Sequence, residues 1–218
     1  MYSIAIDGPA GSGKSTLARA LADKLNISYI DTGAMYRALA YKAFKNNLDL
    51  CDFSNLENFL KGTHIDYKDG KIYLDKEDVS DKIRSQGISK KASVLSKNQK
   101  VRDYLVNIQR EISKRRSVVM EGRDIGTVVL PNADLKIFLT ASIDIRTRRR
   151  YDQLKEKDKS VDFEKLKRDI MSRDENDIKR KNSPLKKAED AFEFDNSNMN
   201  LEESINYILD LLRGKNVI

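Results

Sequence analysis

Gly8-Pro9-Ala10-Gly11-Ser12-Gly13-Lys14-Ser15 is a glycine-punctuated octapeptide set between two contrasting runs. Before it, Tyr2 to Asp7 is short, apolar and strand-like; after it, Leu17, Ala18, Leu21 and Leu25 recur at helical spacing. Strand, glycine-rich turn and helix, in that order, are the context in which G-x-x-x-x-G-K-[ST] binds phosphate. The glycines let the chain curl until successive N–H groups point inward, and the helix N-terminus adds partial positive charge. Lys14 is then placed to reach the β- and γ-phosphates of a nucleoside triphosphate. The Ser15 hydroxyl is placed to meet a Mg²⁺ ion that bridges them.

Working outward, Ser28 to Ile30 reads as a second short strand and Gly33 to Phe44 as a helix. From His64 to Ser80 the pattern changes: Ile65 and Tyr67 alternate with polar residues up to Asp69-Gly70, and Ile72 and Leu74 alternate after it. That predicts a β-hairpin, hence a small antiparallel insertion in an otherwise α/β chain. Asn98 to Arg115 reads as a helix, Val118 to Glu121 and Leu135 to Thr140 as strands. The stretch from Ile143 to Ser160 is dense in Arg, Lys and Asp, and helical spacing resumes from Phe163 to about Lys179, which predicts a projecting helical pair. Phe192 to Phe194 is a last strand and Leu201 to Leu212 a terminal amphipathic helix. Strands separated by helices predict a parallel sheet.

Bulk composition narrows the chemistry. The chain has 218 residues, 39% of them hydrophobic and 34% charged, enough for one core beneath a densely charged surface. A net charge of +7 favours anionic partners such as nucleotides, nucleic acid or anionic lipid, and charge alone does not choose among them. One cysteine, Cys51, allows no intrachain disulfide and is expected to pack; the single histidine, His64, falls in the hairpin, so His-assisted nucleophilic catalysis is not expected. No leader or apolar span is read, and the expectation is a cytoplasmic protein that engages no membrane.

Three further segments extend the reading: Asp31-Thr32-Gly33-Ala34-Met35-Tyr36-Arg37, Glu121-Gly122-Arg123-Asp124-Ile125-Gly126-Thr127 and Arg173-Asp174-Glu175-Asn176-Asp177-Ile178-Lys179-Arg180. With Ser93, Arg102, the hairpin, Ser183-Pro184-Leu185 and Asp190-Ala191 in the same order, the chain resembles the bacterial cytidylate kinases nearly end to end. The resemblance implies a P-loop kinase of the nucleoside monophosphate kinase type: an α/β fold with a five-stranded parallel sheet flanked by helices, a small antiparallel acceptor-binding insertion and a helical lid. It implies one domain over 1–218, with its core in 1–31, 116–145 and 185–218, an acceptor-binding region in 32–115 and a lid in 146–184. The implied substrates are ATP, with Mg²⁺, and CMP or dCMP; a monomer with no nucleic-acid partner is implied as well.

By the same resemblance, Gly8 through Thr16, with Arg146, Arg149 and Arg150 at the start of the lid, would hold ATP. Arg37, Arg123, Arg173 and Arg180 would grip the acceptor phosphate, a task suited to the planar guanidinium fork. Ser93, Arg102 and Asp124 would read the base, Asp177 the sugar hydroxyl, and Thr32 would lie with them. Lys14, Arg123, Arg173 and Arg180 would carry catalysis. Glu121 departs from the Asp often found at its place in the family, and Thr32 from the Ser of some members; both retain the functional group.

Cytosine offers an exocyclic amine to the Asp124 carboxylate where uracil offers a carbonyl, so Asp124 is the expected determinant of base choice. A phosphate monoester has its second pKa at about 6, so the acceptor needs no general base at neutral pH. The competing readings are a kinase for UMP or another small acceptor, and a nucleotide-dependent nucleic-acid-binding module. The chain lacks the N-K-x-D segment of guanine-specific switches and the aromatic-interleaved basic patches of nucleic-acid binders.

Overall fold

A computed structural model describes residues 1–48, 55–68, 70–156 and 159–218. Cys51 and the turn residue Asp69 lie outside the described residues. The elements, in order, are β1 (Ser3–Asp7), α1 (Lys14–Leu25), β2 (Ser28–Asp31), α2 (Thr32–Lys45), α3 (Leu56–Lys61), β3 (Ile65–Lys68), β4 (Lys71–Leu74), β5 (Glu77–Asp78), α4 (Gln86–Leu95), α5 (Gln99–Ser113), β6 (Val118–Gly122), β7 (Leu135–Thr140), α6 (Ile143–Lys155), α7 (Phe163–Lys179), β8 (Phe192–Asp195) and α8 (Leu201–Gly214). A single π-helical turn, Ile125–Val129, follows β6.

The main sheet has the order β2-β6-β1-β7-β8, and every pairing in it is parallel. Successive side chains of a strand point to opposite faces, and the cores obey that rule. Ile4, Ile6 and Val119 pack with α1 and α8 on one face. Ala5, Val118 and Met120 pack with α2, α4 and α5 on the other. Burial on both faces explains why these strands read as continuous apolar runs.

The inserted sheet is three-stranded, β3-β4-β5, one strand more than the hairpin read from the sequence. Its inward residues Ile65, Tyr67, Ile72 and Leu74 belong to the same core as α2, so the insertion is fused to the main body. Helices α6 and α7 share a smaller core of Leu166 and Ile170, bordered by Ile143, Tyr151 and Leu154; the side chain of Ala10 completes it. Among the described residues, no helix is long and apolar enough to cross a membrane.

Parallel strands point their carboxyl ends to one edge. Gly8 follows β1, Thr32 follows β2, Arg123 follows β6, Ala141 follows β7 and Asn196 follows β8. Ligands of open α/β sheets bind outside that edge, and the nominated residues gather there.

Candidate active site

The octapeptide forms the turn between β1 and α1. Gly8 has φ +149°, and a Cβ there would stand 2.0 Å from the Leu139 carbonyl oxygen, so no other residue fits without moving β7. Gly13 precedes α1 with φ +92° and gives it no side-chain cap, whereas Asp31, Ser85, Asn98, Ser142, Asp162 and Asn200 cap the longer helices with side chains. The first N–H groups of α1 are thereby left to an anion. Lys14 opens the helix, buried; its Nζ donates to the Pro9 carbonyl at 2.6 Å and to Ser12 Oγ at 3.2 Å. Burial pulls its pKa down, Arg123 and Arg173 repel it further, and Glu121 and Asp7 oppose them.

Glu121, at the end of β6, faces this loop. Its carboxylate accepts from Tyr29 Oη at 2.7 Å, and the nearby Ser15 hydroxyl favours its charged form. Burial raises its pKa, and Asp31 adds to the rise. Thr32 Oγ1 donates to the Glu121 carbonyl at 2.7 Å, tying the start of α2 to β6. Asp31 caps α2 through Ala34 N at 2.9 Å and pairs with Arg37 Nη2 through its other oxygen at 2.8 Å. The helix cap thus aims Arg37.

On the far side of β6, charges alternate. Buried Arg102 pairs with Asp124 and donates from Nη1 to the Ser96 carbonyl at 3.2 Å. Asp124 faces Arg180 Nη2 at 3.5 Å; Asp177 faces Arg180 Nη1 at 3.9 Å and accepts from Arg123 Nε at 2.9 Å. Burial lowers Arg123, but Asp177, joined by Glu121 and Asp174, outweighs it and holds its pKa above the ordinary value. For Arg173 the balance goes the other way: burial, then Arg123 and Arg37, push it down to about 10 against the opposing pull of Asp177 and Asp174. Burial and Arg37 likewise lower Arg150. Arg37, Arg123, Arg150, Arg173 and Lys14 thus form one cluster of mutually repelling cations, an arrangement that an oligoanion relieves.

Buried polar atoms are ordinarily satisfied. Here Tyr36 Oη, Arg102 Nε and Arg180 Nη2 have no hydrogen-bond partner among the described residues, and Arg102 lies 5.6 Å over the Tyr36 ring. These unsatisfied atoms lie around the Asp124 carboxylate, which pairs with Arg102 and faces Arg180. Ser93 is half-buried on α4, where its carbonyl accepts from Ser96 Oγ at 2.9 Å.

The three arginines nominated on α6 divide. Arg146 is buried against the loop, donating to the Ala10 and Ala141 carbonyls, each at 2.9 Å, and pairing with Asp174. Arg149 reaches the Ser12 carbonyl at 3.3 Å and holds Asn196 through Oδ1 at 3.0 Å and the carbonyl at 2.9 Å. Arg150 donates to Gln153 at 3.3 Å. Thr16 stays exposed on α1.

Sequence reading passed over four residues here. Asp7 accepts from Ile125 N at 2.8 Å and Gly126 N at 2.7 Å; Tyr29 holds Glu121; Asn196 lies beside Gly13; Asp174 accepts from Ala10 N at 2.8 Å. Asp7 adjoins the phosphate loop and Asp174 lies inside the Arg173-to-Arg180 segment, which is the available signal for both. Tyr29 and Asn196 carry none in the sequence.

The family profile described as Cytidylate kinase matches residues 4–214. A cytidylate kinase of Alkaliphilus oremlandii is 49% identical over 211 residues, covering 97% of each chain. One from Fusobacterium nucleatum is 47% identical over 205 residues, covering 94% of each. Among solved structures, an uncharacterized protein from Eubacterium ventriosum superposes with a TM-score of 0.54 over 98% of this chain and 99% of its own, at 14% identity, a likeness of fold. With the profile and these identities spanning nearly the whole sequence, the chain belongs to the cytidylate kinase family.

Proposed function

We propose that the protein transfers the γ-phosphoryl group of ATP to CMP or dCMP, giving ADP and CDP or dCDP. The observation that carries this is the alternating run Arg102, Asp124, Arg180, Asp177, Arg123, which leads from a cluster of unsatisfied buried polar atoms to the cations around Lys14. A nucleoside monophosphate matches it end for end: base at Asp124 and Arg102, sugar hydroxyl at Asp177, phosphate at Arg37, Arg123, Arg173 and Arg180. The named relatives support the choice of cytidine.

Transfer between two phosphates needs alignment and charge compensation more than proton abstraction. The P-loop N–H groups and Lys14 hold the donor. The arginines hold the acceptor dianion and offset its repulsion from the donor, and α6 with α7 covers the site and limits attack by water. Arg149, anchored to Asn196 and the loop, borders the donor side.

Mg²⁺ fits the hard oxygen donors Ser15 and Glu121, which lie near one another beside the phosphate loop. When bound, Mg²⁺ supplies charge neutralisation on the transferred group. The domain organisation proposed is the one read from the sequence, acting as a cytoplasmic monomer.

The test is ADP release with Mg²⁺ and ATP, alone and with CMP, dCMP, UMP, AMP or GMP added. Acceptor-dependent release led by CMP or dCMP is expected. Release indifferent to the acceptor, or led by another nucleotide, overturns the reading.

A further inference from the structure

Every group of Ala10 is engaged by the helical pair. Its N–H donates to Asp174 Oδ1 at 2.8 Å, its carbonyl accepts from Arg146 Nη1 at 2.9 Å, and its methyl packs with Leu166 and Ile170. Asp174 uses its second oxygen to hold Arg146, so one buried carboxylate grips the phosphate loop directly and through a guanidinium. The approach is close: a Cβ on Gly11 would come within 3.2 Å of the Arg146 carbonyl oxygen. Asp174 also follows Arg173 on α7, one helical turn before Asp177, which holds Arg123. Donor loop and acceptor cations are therefore set by a single turn of one helix.

We infer that Asp174 is a positioning residue for phosphoryl transfer, fixing the Ala10 peptide of the phosphate loop relative to Arg173 and Arg123. The inference rests on the proposed function for the roles of Arg173 and Arg123, while its donor-side half needs only the P-loop. A bond at each face of one peptide sets both the position and the tilt of the loop's crest. Misplacing reacting groups by about 1 Å costs on the order of 100-fold in rate. The carboxylate touches neither nucleotide; it acts through the loop.

The test compares wild type, Asp174→Ala and Asp174→Asn in three measurements: calorimetric binding of a non-hydrolysable ATP analogue without acceptor, steady-state rates with ATP and CMP, and ADP release without acceptor. Asp174→Ala is expected to weaken analogue binding about 10-fold and lower kcat about 100-fold. A larger share of its ADP is expected to form without CMP. Asp174→Asn, which keeps an acceptor for the Ala10 N–H, is expected to fall between, and it decides the matter if the alanine variant does not fold. Variants that melt earlier yet keep wild-type kcat and analogue affinity would reduce Asp174 to a fold-stabilising residue and overturn the inference. Wild type that binds the analogue without phosphorylating CMP would sink the acceptor assignment, and the binding comparison would still judge Asp174.

Discussion

Arg102 and Asp124 form an ion pair inside the protein, their side chains only 2% and 7% exposed. The same carboxylate faces Arg180 at 3.5 Å, so it serves two guanidinium groups and, in the proposed complex, the base amine. Asp124→Asn keeps one carbonyl acceptor but turns an NH₂ toward a buried cation, a loss of about 1–3 kcal/mol. The variant is expected to melt earlier and to lose discrimination between CMP and UMP. An unchanged ratio of kcat/KM values for the two acceptors would refute the assignment of base reading to Asp124.

Lys14→Ala should separate fold from chemistry. Among the described residues the ammonium bonds only within its own loop, to Pro9 and Ser12, so removing it takes little from the core. It also relieves repulsion from Arg123 and Arg173. Turnover is expected to fall by about 100-fold or more, because a positioned charge is lost from the transferred phosphoryl group. Near-normal ADP production alongside an unchanged melting temperature would remove Lys14 from the mechanism.

The legible parts of the fold were the local ones. The phosphate loop, the helix behind it and the apolar strands each carry their signal in a contiguous stretch. Helix α4 does not: Gln86, Gly87, Lys90 and Lys91 dilute its pattern, and it forms because Ile88, Ala92 and Leu95 bury against the core shared with α2. β5 is two residues long and exists through its pairing with β4. The π-helical turn after Asp124 has its first two N–H groups held by Asp7, which lies 118 and 119 residues away. In the site, family resemblance supplied the residues expected to touch substrate. The residues that hold them, Asp7, Tyr29, Asn196 and Asp174, act through contacts that only the folded chain makes.

Asp7 gives a pH dependence. Burial raises its pKa to about 6, Asp124 adds to the rise, and the two backbone N–H bonds and Lys14 oppose it. An unfolded aspartate titrates at about 3.9. Between those values the folded protein takes up a proton that the unfolded chain does not, so this residue's contribution to stability falls as pH rises through the window. Melting temperatures from pH 4 to 7 should show this slope in wild type, superimposed on other titrations, and lack it in Asp7→Asn. Parallel curves for the two proteins would show that Asp7 carries no such shift.

Gly122 connects sterics to the site. A Cβ there would stand 2.7 Å from both Thr32 Oγ1 and Ile125 Cδ1, and Thr32 Oγ1 donates to the Glu121 carbonyl beside it. Gly122→Ala must push these groups apart, at about 1–3 kcal/mol for overpacking, and Arg123 follows in the chain. Gly87 is the control: on α4, with open space where a Cβ would go, Gly87→Ala is expected to be neutral or stabilising by about 0.5–1 kcal/mol. Denaturant midpoints should therefore move in opposite directions, or only for Gly122→Ala, and kcat should drop in that variant alone. If the two substitutions shift midpoint and kcat alike, the close contact of β6 with the start of α2 does not set the position of Arg123.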